Sequence, residues 1–159
     1  MSYITNLQLT LSTNFQTLNA QIPTSLPLQI SIHNPTITPV TILRWNTPFD
    51  PLASLLDLFE VRDTTTGHTL AADTIKISRK LPASADDLVE INAGETMTCD
   101  ATLTGLYFQT GHEYSVRARG IWMAVWLKGL LDVTASQLKD LSGSESGEVE
   151  SNVTVVEIK

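Results

Sequence analysis

The stretch Thr96-Met97-Thr98-Cys99-Asp100-Ala101-Thr102-Leu103 alternates polar and apolar residues without a break. Alternation of this kind puts every second side chain on one face of a strand, and the apolar face must be buried against something else. The same period recurs in Leu7, Leu9 and Leu11, then in Leu26, Leu28, Ile30 and Ile32, and in a run over 40–45 closed by Asn46-Thr47-Pro48. Residues 58–62 lead into the turn-like Asp63-Thr64-Thr65-Thr66-Gly67, which predicts a hairpin returning through His68-Thr69-Leu70. Ile75 and Ile77, Val89 and Ile91, then Tyr114, Val116 and Ala118 mark further strands, and residues 153–158 the last. About seven to nine short strands with turns between them predict an antiparallel sandwich or barrel, since each apolar face needs a second layer. No helix-period segment separates successive strands, which argues against a parallel α/β fold. Short helix is expected only at 51–56, with Asp50 as cap and Pro51 at the first position, and at 134–141 behind Thr134.

The 159 residues read as one domain spanning 1–159, with a flexible acidic loop at about 142–150 on account of its serines, glycines and glutamates. The chain carries 42% hydrophobic residues and a net charge of −7, so it can fill a core while its surface repels phosphate backbones. Neither nucleic acid nor membrane is an expected partner. The longest apolar-rich run, 121–131, contains Lys128 and Gly129 and falls well short of the about 20 residues that span a bilayer. Residues 1–10 alternate instead of forming a secretory leader, so the expected location is the cytoplasm. On that expectation the sequon Asn152-Val153-Thr154 is coincidental.

No catalytic grouping is visible. His33, His68 and His112 lie in separate segments, and His112-Glu113 is followed by Val116 where a zinc-binding helix would carry histidine. Neither a metal nor another cofactor is expected. Cys99 alternates in phase with Met97, Ala101 and Leu103, which predicts a buried thiol with a raised pKa and a structural role. No serine lies in a Gly-x-Ser-x-Gly turn, and no glycine-rich phosphate loop is present. The most unusual segment is 117–128, which holds Trp122 and Trp126. Either both are buried where the chain crosses the end of the sandwich, or they form an exposed aromatic patch for a protein partner.

Leu43-Arg44-Trp45-Asn46-Thr47-Pro48-Phe49-Asp50, followed by Leu58-Phe59-Glu60-Val61, resembles a segment of the propeptides of fungal deuterolysin-type zinc metalloendopeptidases. Ile30-Ser31-Ile32-His33-Asn34-Pro35, Ile91-Asn92-Ala93-Gly94-Glu95-Thr96 and Gly111-His112-Glu113-Tyr114-Ser115-Val116 fit the same pattern in order, across about residues 5–120. The His-Glu-x-x-His catalytic motif of those proteases does not occur here, so the resemblance implies no protease activity. It implies an immunoglobulin-like β-sandwich of the prodomain type and a non-enzymatic role through protein contact, with protease inhibition as the specific expectation. The expected partner is a metalloendopeptidase; a homodimer is the alternative. The expected contact residues are Trp45, Asn46 and Phe49 in the turn, Arg79 and Lys80 in the following loop, and Trp122 and Trp126.

Overall fold

The computed structural model describes residues 4–14, 17–18 and 24–159; residues 1–3 and Pro23, which the strand reading touched, lie outside these. Its strands are β1 (Gln8–Ser12), β2 (Thr17–Leu18), β3 (Thr24–His33), β4 (Val40–Leu43), β5 (Phe59–Asp63), β6 (Thr69–Leu70), β7 (Leu88–Ile91), β8 (Thr96–Leu106), β9 (Glu113–Trp126) and β10 (Glu145–Ile158). They form two facing sheets. One has the order β1-β3-β8; the other runs β2-β10-β9-β4-β7, with β5 and β6 attached through β9. All pairings are antiparallel except the two-residue contact of β2 with β10. The all-β sandwich expected from the alternation is the fold observed.

The period-two residues do what their spacing requires. Leu9, Leu11, Leu28, Ile30 and Ile32 from the small sheet close on Ile42, Val61, Ile91, Val116, Ala118, Trp122 and Val156 from the large one. Each aliphatic side chain so buried contributes about 1.5–3 kcal/mol. A second cluster lies outside the large sheet, where Leu43, Trp45, Leu88, Ala124 and Trp126 are covered by Leu130, Val133, Leu138 and Leu141. Part of that cover is the helix α1 (Ala135–Asp140), capped by Thr134 and Gln137, each side chain bonding the other's backbone N–H.

Three expectations need correction. The segment expected to be a flexible loop at 142–150 is a short turn followed by β10, which begins at Glu145 and pairs with β9 from Val125 onward. Its serines, glycines and glutamates are poor strand formers, but a long neighbouring ladder overrides that preference on a half-solvated face. Ile75 and Ile77 belong to no strand and are 47% and 42% exposed. Met97, expected inward, is 38% exposed, because β8 runs past the edge of the core there while Leu103 remains buried.

Two register shifts shape the large sheet. Between the pairs Glu145↔Val125 and Gly147↔Trp122, β9 has one residue more than β10, a bulge at Met123 and Ala124. The bulge reverses the phase of the strand. Trp122 therefore faces the inter-sheet core and Trp126 the outer cluster, each 1% exposed. The second shift lies between Glu150↔Arg119 and Val153↔Arg117, where β10 carries the extra residue at Ser151 and Asn152. There the Ser151 hydroxyl accepts the Ala118 N–H at 2.8 Å.

Candidate functional site

The turn after β4 is built around Asp50. Its carboxylate accepts the N–H of Asn46 at 3.0 Å and of Leu52 at 2.9 Å, so both sides of the turn hang from one side chain. Thr47 adds a bond from its hydroxyl to the Arg44 carbonyl at 2.8 Å, and Asn46 takes the left-handed conformation that asparagine tolerates. The turn docks on β9 where Ile121 N–H donates to the Asn46 carbonyl at 3.0 Å. A Cβ at Gly120 would lie 2.7 Å from that carbonyl, so glycine is what lets the two backbones meet.

Arg79 clamps the arrangement from the opposite loop. Its Nη2 donates to Asp50 Oδ1 at 2.8 Å, its Nη1 pairs with Oδ2, and its guanidinium lies 5.8 Å from the centre of the Trp45 ring. Burial by itself would push the Asp50 carboxyl up; the Arg79 bond and the two backbone N–H groups outweigh it and hold the group below its ordinary value. Trp45, Asn46, Phe49 and Arg79, expected as contacts in a turn and a separate loop, thus meet in one knot. Trp45 and Phe49, however, are only 7% and 8% exposed and hold the turn together from within. Lys80 is exposed beside Arg79, with no hydrogen bond or ion pair of its own among the described residues. Trp122 and Trp126 are buried on opposite sides of the sheet, so the shared aromatic patch does not form.

What the sequence reading missed lies next to this knot. A hollow of about 400 Å³ opens between the turn and β8, lined by Arg44, Phe49, Asp50, Ser54, Cys99 and Asp100. Arg44 continues the inward phase of Val40 and Ile42 on β4, and an arginine in phase with two core residues was the available signal. Its Nε is buried without a hydrogen-bond partner among the described residues. Beside it β8 ends the small sheet, so its outer row of backbone groups meets no further strand among the described residues. The short helical turn Ala53–Leu55 packs against part of it, and at its far end Asp73 N–H donates to the Thr104 carbonyl at 3.2 Å.

Cys99 in the hollow is half-buried where its alternation predicts full burial, but the predicted rise of its pKa holds. Burial, with the Asp100 charge added, pushes its thiol up to about 11 despite Arg44, which leaves a poor nucleophile. The histidines stay apart: His33 Nδ1 bonds the Thr96 hydroxyl at 2.8 Å and His112 Nδ1 lies 2.7 Å from Asp63. Among the described residues no three His, Cys, Asp or Glu side chains are placed to hold a metal ion.

The Asp63 contact sets a pH dependence. Burial raises this carboxyl, but His112 and the N–H groups of Thr65 and Thr66 bring it down to about 2 from 3.8. A folded value below the unfolded one stabilises the protein above both, and that contribution fades as pH falls from about 5 toward 2. Urea midpoints measured at pH 7 and at pH 3 are therefore expected to differ less in Asp63→Asn than in the parent. An equal drop in both proteins would show that Asp63 is not part of the acid response.

Tyr114, buried on β9, accepts the Gln109 N–H on its hydroxyl at 2.8 Å and meets the Phe108 ring edge-on at 4.5 Å. A tyrosine reaching back to the chain just before its own strand is a corner typical of immunoglobulin sandwiches. Residues 9–158 match the immunoglobulin-like domain family. The chain belongs to that family. A relative of this immunoglobulin-like chain, an uncharacterized secreted protein of Arthroderma benhamiae, is 40% identical over 129 residues. The match takes in 79% of this chain and 65% of the relative, so the chain spans less than two thirds of the relative's length. That finding, a relative that is a secreted protein, overturns the cytoplasmic expectation. Alternation near residue 10 reports how a first strand packs, and it carries no information about cellular address.

Proposed function

We propose that this immunoglobulin-like domain is a non-enzymatic binding module that engages an extended segment of a protein partner along the open edge of β8. The observation that carries the reading is that edge, with the Arg44 hollow beside it and the turn held rigid by Asp50 and Arg79. Main-chain groups of an edge strand supply affinity to any extended chain, while side-chain pockets beside it supply selectivity. The hollow offers one such pocket, and exposed Thr98 and Thr102 flank it on the strand.

The finer reading is that the partner is an endopeptidase of the deuterolysin type, bound as a prodomain binds its own protease. It is supported by the ordered phrases between about residues 5 and 120 that resemble those propeptides. Titrating the purified protein into deuterolysin-type and other endopeptidases is expected to reduce peptide cleavage at micromolar concentration. Thr102→Lys, which places a charge on the edge, is expected to weaken the effect without lowering the thermal midpoint. Undiminished cleavage throughout would remove the inhibitor reading. The tryptophan pair no longer supports a homodimer, since both rings are buried; a light-scattering mass of two chains would shift the β8 edge to self-pairing.

A further inference from the structure

At the second seam of the sandwich, opposite β8, a side chain of β10 bonds the backbone of β1. At the β10 bulge, Asn152 turns its amide onto the backbone of Leu11 in β1. The Leu11 N–H donates to Oδ1 at 2.7 Å, and Nδ2 donates to the Leu11 carbonyl at 3.0 Å. One primary amide thus pairs with both backbone groups of a residue 141 positions away, as a neighbouring strand would. Asn152 is also the acceptor residue of Asn152-Val153-Thr154, and a relative of this chain is a secreted protein, so the sequon has to be weighed.

We infer that Asn152 remains free of carbohydrate in the folded protein, because the clasp and an N-linked glycan exclude each other. Attachment replaces one Nδ2 hydrogen with a bond to the sugar carbon and makes the amide secondary. Secondary amides are trans, which sets the new substituent on the same side as the carbonyl oxygen. That is the position of the hydrogen the clasp uses, since Leu11 approaches Oδ1 and Nδ2 from one side. Retaining the clasp would force the cis amide, disfavoured by roughly a hundredfold. Space is not the obstacle: Asn152 is itself exposed and borders a groove of about 710 Å³ with Thr10, Ser12 and Thr154. The decisive atom is the hydrogen.

The test is expression through the secretory route of a glycosylating host, followed by intact mass with and without peptide N-glycosidase. Folded parent protein is expected to show no mass change. Thr64→Asn, which creates Asn-Thr-Thr in an exposed turn, is expected to lose a glycan mass and so shows that the host modifies this chain. A glycan on Asn152 of the folded parent would overturn the inference. Amide exchange supplies the second arm. Asn152→Asp keeps the acceptor for Leu11 N–H but removes the donor and sets a carboxylate against the Leu11 carbonyl. Exchange at Leu11 is expected to rise about tenfold; unchanged exchange would show that the clasp does not close the seam and would equally overturn the inference.

Discussion

Trp122→Ala is expected to cost about 3–5 kcal/mol of folding stability, among the largest losses any single substitution in this chain can produce. The indole is 1% exposed, and it fills the inter-sheet core among side chains that cannot collapse far from a ladder fixed on both sides of β9. Its position depends on the bulge at Met123 and Ala124, which lets β9 offer a tryptophan to each side of the sheet. Against a total stability of about 5–15 kcal/mol, such a loss brings the variant near unfolding at ordinary temperature. Urea denaturation followed by far-ultraviolet circular dichroism is expected to show a midpoint roughly 2 M lower. A shift of a few tenths of a molar would mean the core can close over the cavity, contradicting the packing described.

Asp50→Ala is expected to cost a comparable about 3–5 kcal/mol, by a different route. Its side chain is fully buried, and removing the carboxylate strands two backbone N–H groups together with the guanidinium of Arg79, itself only 17% exposed. An uncompensated buried donor costs about 1–3 kcal/mol, more when charged. Arg79→Leu is also expected to destabilise, since Asp50 would keep its charge with two N–H partners only. In the Arg79→Leu background, the Asp50→Ala loss is expected to shrink by about 1–3 kcal/mol. Strictly additive losses in urea melts of the four proteins would show that the pair is not coupled. The same substitutions release the turn whose Phe49, Asp50 and Pro51 wall the Arg44 hollow, so under the proposed function binding at the β8 edge is expected to weaken with stability.

Several features were legible before any coordinates. The strands of Leu7 to Leu11, Leu26 to Ile32 and Tyr114 to Ala118 follow from alternation alone, because burial of one face leaves no other register. The hairpin at Gly67 and the cap at Thr134 follow from local turn and helix-end chemistry. The sequence marks Arg79 as a contact residue but hides its partner: Asp50 has only the signature of a cap there, and 29 residues separate the two. Residues 142–150 differ from their expectation for the opposite reason. Their composition is that of a loop, and only the long ladder offered by β9 makes a strand of residues 145–150.

The alternating residues by themselves determined that this chain is a β-sandwich with a greasy interior, because the period of a strand is a property of its own backbone. Which tryptophan faces which side, which edge stays open and which is clasped by Asn152 were decided by the tertiary structure. The tryptophan facing and the Asn152 contact each depend on a bulge that inserts one residue against a partner strand, and a bulge is defined only by what lies across from it; the open edge follows from the strand order. Pairings at such a distance in sequence leave no local pattern to read; they exist only when both sheets are in place.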